Sequence, residues 1–223
     1  MTVERRLELL DWARRSRALI FEDDYDSEYR YSGRPISALQ GYDRTGSVVL
    51  AGSFSKLLFP SLRLGYLVAP VSLVDKFAAA KLVMDRHSAV IDQAIMCDFI
   101  IEGHFGRHIR RMREIYAERL AVLQSSIEEK CGNLITVTDT EAGVQTVGWL
   151  RPDFDSEAIA KAMLEKNVET LPIGRFAIRA TLPPGLLLGF GAVDKREILR
   201  GVDCLASTLA DFAKRSPSVR MAV

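Results

Sequence analysis

Three short apolar runs constrain the fold most strongly. They are ALIF at 18–21, followed by Glu22-Asp23-Asp24; SVVLAG at 47–52; and LGYLVA at 64–69, closed by Pro70. Runs of this length read as buried strands of an α/β sheet, with any chemistry at the C-terminal end of the first. They are too few to complete such a sheet. A helix precedes them: Leu7, Leu10 and Ala13 recur near helical spacing, while Glu4, Arg5, Arg6, Asp11, Arg14 and Arg15 fill the other face.

The pattern then turns helical, with segments predicted at 71–83, 91–102 and 107–129 and Gly103 separating the last two. Beyond Gly132, predicted strands at 134–137, 144–150 and 186–190 alternate with helices at 156–166 and 194–214, a smaller α+β arrangement. Pro183-Pro184-Gly185 marks the turn before the last strand.

Composition excludes several classes. An apolar fraction of 48% rules out intrinsic disorder, and 15 Gly with 8 Pro rule out a collagen-like chain. Thirty Lys and Arg against 29 Asp and Glu give a formal charge of +1, which supplies no general pull toward DNA or an anionic membrane. No direct nucleic-acid contact is therefore expected. No run approaches the ~18 apolar residues of a membrane span, so no membrane partner is expected either. Three widely spaced cysteines (Cys97, Cys131 and Cys204) suit a reducing compartment, and the cytoplasm is the expected location.

The segment GSFSKLLFPSLRLGY at 52–66 carries the most chemistry. Lys56 follows an apolar strand and has apolar residues on both sides in sequence. A lysine held among such neighbours has its charged form disfavoured, which frees the amine for a Schiff base. Ser53, Ser55 and Arg63 are the donors a phosphate dianion wants. The combination points to an aldehyde cofactor that carries a phosphate. On the residues alone, a surface lysine beside turn serines is the open alternative. Pyridoxal phosphate also needs a carboxylate against its pyridine nitrogen, and Asp23 and Asp24 end the preceding strand where such an acid would come from. Tyr25 could reach the ring hydroxyl. Acidic turn formers are the alternative for that pair.

Three segments, FEDDYDSEYRY at 21–31, GSFSKLLFPSLRLGY at 52–66 and GHFGRHIRRMREIY at 103–116, resemble the aminotransferase-like part of MocR-type regulators in order and spacing. Those proteins join a GntR-type winged helix-turn-helix to a fold type I, aspartate-aminotransferase-like domain. The resemblance implies an α/β fold: part of a fold type I PLP-transferase large domain plus a smaller α+β C-terminal domain. By it, Lys56 is the Schiff-base lysine, Asp23 the pyridine-nitrogen partner and Tyr25 the ring-hydroxyl partner. Ser53 and Arg63 become phosphate ligands, with Ser55 the weaker candidate. The cofactor implied is pyridoxal 5'-phosphate, and the ligand a small amino compound or amino acid. Arg175, in LPIGRF at 171–176, falls where the family grips a ligand carboxylate, with Arg179 in reserve; a solvated surface arginine is the alternative. A guanidinium forks onto a carboxylate with two parallel hydrogen bonds.

The implied division places the C-terminal part of the large domain at 1–75, a helical connection at 76–130, the small domain at 131–215 and a frayed tail at 216–223. His104 and His108 stand at metal-binding spacing but lack the acidic residue of a zinc motif, so no metal is expected. The cluster Arg107, Arg110, Arg111 and Arg113 reads as a solvated or interdomain helix face.

Neither a winged helix nor the family's glycine-rich phosphate loop is found in the sequence, so the chain reads as the C-terminal half of a longer protein. One edge of an apolar parallel sheet is then expected to be open, which favours dimerisation or aggregation. Three readings follow: a sensing domain of a MocR-type regulator, a PLP-dependent aminotransferase, or a cofactor-free fragment acting as an interaction module.

Overall fold

The computed structural model describes residues 1–24, 27–31, 37–87 and 89–215. The expectations for Tyr25 and for the tail at 216–223 lie outside them. The chain forms two compact units, Met1–Arg110 and Arg111–Val223. Among the described residues, no helix is long and apolar enough to cross a membrane.

In the first unit, helix α1 spans Val3–Ser16. The Thr2 hydroxyl accepts the Arg5 amide at 3.3 Å, which satisfies one of the orphan N–H groups of the first turn. Arg17 stops the helix in the left-handed region at φ 51°. Strand β1 (Ile20–Asp24) pairs parallel with β2 (Val48–Ser53), placing Asp23 beside Ala51 and Asp24 beside Gly52. Two carboxylates organise the crossover. Glu22 accepts the amides of Leu39 (2.6 Å) and Gln40 (2.9 Å) at the start of helix α2 (Leu39–Tyr42). Asp43 accepts those of Ser47 (2.6 Å) and Val48 (2.9 Å) where β2 begins.

Strand β2 leads into helix α3 (Phe54–Leu57), a 3-10 turn at Pro60–Leu62, and strand β3 (Gly65–Val68). The sheet order is β1-β2-β3, with β3 antiparallel to β2. The β1–β2 pair is parallel as expected, and the expectation of a parallel sheet is corrected for β3 alone. The connection from β2 to β3 spans residues 54–64 and holds only a one-turn helix and a 3-10 turn, with no helix long enough to carry the chain back for a parallel crossover. The expected burial is corrected as well. Burial alternates along β1, with Phe21 63% exposed, and β3 is exposed throughout. β1 and β3 are the two edges of a three-stranded sheet, so apolar sequence alone does not bury them.

Helices α4 (Val71–Asp85) and α5 (Val90–Ile101) form where predicted, yet Met96 is their one buried residue among those described. Helix α6 (His104–Cys131) is continuous, and the division between units falls within it. Gly103, at φ +74°, provides the break before it.

The second unit carries an antiparallel sheet of order β4-β5-β7-β6: β4 (Ile135–Val137), β5 (Gln145–Leu150), β6 (Leu171–Pro172) and β7 (Gly185–Gly189). Helix α7 (Ser156–Leu164) is capped by Asp155, whose carboxylate accepts the amides of Glu157 and Ala158. Helix α8 (Lys195–Arg215) opens on a reciprocal Asp194/Glu197 capping box. Its buried residues Ile198, Val202, Leu205 and Leu209 recur at helical spacing and form a core with Ile127, Ile159, Met163, Leu186 and Phe190. The two-residue strand β6 carries no sequence signal of its own.

Candidate functional site

The parallel pair β1–β2 ends with Asp23, Asp24 and Ser53 at its C-terminal edge, where ligands of open α/β sheets bind. Ser53 is the N-cap of α3 in extended conformation and makes no capping hydrogen bond, so its hydroxyl is not spent on the helix. Ser55 and Lys56 follow on that single turn. Arg63 closes the 3-10 turn at φ 49° and ψ 30°. A non-glycine residue in this left-handed region carries a strain of roughly 1–2 kcal/mol, a feature that clusters at ligand sites.

Exposure corrects the sequence reading of Lys56. The lysine is exposed, whereas Leu57 beside it is only 3% exposed. Successive residues on a helical turn point about 100° apart, so apolar flanks in sequence do not enclose the side chain between them. Asp23 and Arg63 are also exposed, and Ser53 and Ser55 are half-buried. A hydroxyl pair, an amine, a guanidinium and a carboxylate at one sheet edge suit a phosphate-bearing aldehyde.

Tyr66 escaped the sequence reading. It stands opposite Gly52 in the β2–β3 register, and its ring lies 5.3 Å from that of Phe54. Burial, then the negative charges of Glu28 and Asp24, push the Tyr66 hydroxyl above its usual pKa. A Cβ on Gly52 would lie 2.2 Å from the Tyr66 ring, so the ring in this position packs directly over the glycine and a larger residue would displace it. A cavity of about 850 Å³ is lined by Gly52, Arg63, Tyr66, Phe77, Met84 and Gln93 among others. Lys56, Ser53, Ser55 and Asp23 are outside its lining.

Arg175 belongs to the second unit, on a 3-10 turn at Ile173–Phe176. Its guanidinium forks onto the Glu157 carboxylate, with Nε 2.9 Å from Oε1 and Nη2 2.5 Å from Oε2. The Arg175 hydrogen bond is the main cause that holds the Glu157 carboxyl below its usual range. The fork expected for a ligand carboxylate thus holds an internal one. Arg179 is exposed.

The two histidines face different tasks. His104 contacts Glu102 at 3.1 Å and accepts from Arg107 at 2.8 Å. His108 turns instead to the Leu57 carbonyl at 3.0 Å. Tyr29 donates to the same oxygen at 2.7 Å. Both residues lie inside motifs recognisable in the sequence, but nothing in those motifs reveals a shared acceptor.

No protein-family model matches the chain. It is 37% identical over 207 residues to the probable rhizopine catabolism regulatory protein MocR of Rhizobium meliloti, covering 93% of this chain and 42% of that protein. The HTH-type transcriptional regulator YhdI of Bacillus subtilis is 36% identical, over 94% of this chain and 45% of its own length. The chain spans less than half the length of these two curated relatives. Among solved structures, the Pyrococcus horikoshii kynurenine aminotransferase, determined in complex with PMP, superposes with a TM-score of 0.86 at 28% identity, over 95% of this chain and 52% of that one. A multiple substrate aminotransferase from Thermococcus profundus gives 0.86 at 31% identity, over 96% and 53%. Sequence and fold agree: the chain matches the C-terminal half of MocR-type regulators of the GntR family and carries part of a fold type I, aspartate-aminotransferase-like domain.

Proposed function

We propose that this chain is the pyridoxal-phosphate-binding, effector-sensing part of a MocR-type transcription regulator. The observation that carries the reading is the C-terminal edge of β1–β2, where Asp23, Ser53, Ser55 and Lys56 stand on adjoining segments and Arg63 is held at a strained positive φ. The cofactor, when bound, supplies an aldehyde that condenses with amines and a ring that withdraws electrons. Lys56 offers the amine. Ser53 and Arg63, with Ser55 in support, would hold the phosphate, Asp23 would keep the ring nitrogen protonated, and Tyr25 would meet the ring hydroxyl. Arg175 would take the carboxylate of an amino-acid ligand after Glu157 releases it. The domain assignment that goes with this reading is a large-domain part at 1–75, a helical connection at 76–130 and a small domain at 131–215.

Adding pyridoxal phosphate should raise an absorbance band in roughly the 400–430 nm region, and Lys56→Ala should abolish it. A band that persists in the variant refutes the assignment. The second reading, an aminotransferase, is favoured by the likeness to the Thermococcus enzyme, and release of a keto acid from an amino donor would select it.

A homodimer is part of the proposal, as is a cytoplasmic setting. Val71 (92% exposed), Val83 (85%), Met84 (85%) and Ile101 (76%) on α4 and α5 support the homodimer, as large apolar side chains that association would bury. Sedimentation velocity should show a dimer; a monodisperse monomer that unfolds cooperatively would count against this part.

A further inference from the structure

Helix α3 has four residues, too few to be stable by itself, and no side chain caps it. Its last residue poses a specific problem. The Leu57 carbonyl lies at the end of the helix, and Pro60 close beyond has no N–H to offer, so the oxygen is an orphan acceptor in a buried position. Two side chains from distant segments supply the donors: the Tyr29 hydroxyl at 2.7 Å and His108 Nε2 at 3.0 Å. A carbonyl oxygen only accepts, so Nε2 carries the proton. Tyr29 is only 2% exposed, which holds its donor in place. On the opposite flank of Lys56, the Phe54 ring meets Phe105 edge-on at 5.8 Å, one helical turn before His108.

We propose that Tyr29 and His108 are positioning residues for Lys56. Together they clamp the carbonyl that follows it, while Phe105 braces the residue two positions before it. This rests on the reading of Lys56 as the cofactor lysine. Each clamp member comes from a different motif: Tyr29 from 21–31, Leu57 from 52–66 and His108 from 103–116. The clamp fixes the direction in which a one-turn helix presents its amine, which is what capture of an aldehyde in a single geometry requires.

The test uses the full chain as wild type, Tyr29→Phe, His108→Gln and His108→Leu. Glutamine keeps an N–H donor and leucine does not. Amide exchange reports the Leu58 N–H, which bonds to Phe54 O at 2.9 Å only while the α3 turn holds. Tyr29→Phe and His108→Leu should each speed that exchange about five- to tenfold, the factor that losing one net hydrogen bond gives. His108→Gln should stay near wild type. Borohydride trapping of pyridoxal phosphate, with the adduct located by mass spectrometry, should show Lys56 labelled to a lower extent in the same two variants. Unchanged exchange, or changed exchange with unchanged Lys56 labelling, overturns the proposal, as does His108→Gln behaving like His108→Leu. If His108→Leu does not fold, Tyr29→Phe decides by itself. An unlabelled Lys56 in the wild type defeats the cofactor reading, and the exchange contrast then judges the clamp alone.

Discussion

Gly52 faces Tyr66 across the β2–β3 pair, and Gly52→Ala forces the two into conflict. The added Cβ would lie 2.2 Å from Cζ, 2.4 Å from the hydroxyl oxygen and 2.5 Å from Cε1 of the ring. The ring must move, and its contact with Phe54, at 5.3 Å between centroids, is disturbed with it. Overpacking of this kind costs roughly 1–3 kcal/mol. Alanine in place of glycine within a strand returns roughly 0.5–1 kcal/mol. The single variant should therefore be less stable by up to about 2.5 kcal/mol. In a Tyr66→Ala background the conflict is gone, and Gly52→Ala should become neutral or stabilising by up to about 1 kcal/mol. The coupling between the two changes is then about 1–3 kcal/mol, a factor of about 5 to 150 in amide protection. Hydrogen exchange of the β2 and β3 amides in all four proteins measures it directly. Effects that add to within about 0.5 kcal/mol would refute the reasoning, because they would show that Tyr66 does not occupy the space above Gly52.

Asp43→Asn should loosen the entry to β2 by roughly 1–3 kcal/mol, seen as faster exchange of the Ser47 and Val48 amides. Burial raises the Asp43 carboxyl, but hydrogen bonds from Thr45, Val48 and Ser47 outweigh it and hold the pKa below 3.8. Its contribution is therefore present above that value and lost as the pH falls through the depressed one, and the asparagine variant should lack this acid-dependent loss in denaturant titrations. Glu157, held low by Arg175, follows the same sign: NMR should show the Arg175 fork intact above the usual carboxyl range and released only as the pH falls through the lowered pKa. Burial pushes the Cys131 thiol up to about 11, so iodoacetamide at pH 8 should label the exposed Cys97 and spare Cys131; comparable labelling of both in folded protein would refute that burial.

Much of the site can be read from the sequence, because motif order and spacing are linear properties. The lysine turn, the acids ending β1 and the glycine before α6 all stand where the residues put them. What cannot be read is the direction of a side chain. Lys56 and Leu57 are neighbours with similar flanks, yet one is exposed and the other buried, since successive residues on a helical turn point about 100° apart. The antiparallel β3, the exposed face of β1 and the two-residue β6 were equally hidden. Each depends on which segment happens to lie alongside.

The chain's residues by themselves determine the succession of strands and helices and the chemistry offered at 21–31, 52–66 and 103–116, since propensity and donor type are local. Only the tertiary structure decides that these three segments meet at the Leu57 carbonyl. A one-turn helix cannot satisfy its own last acceptor, so donors far away in sequence, Tyr29 and His108, complete it and set the direction of Lys56.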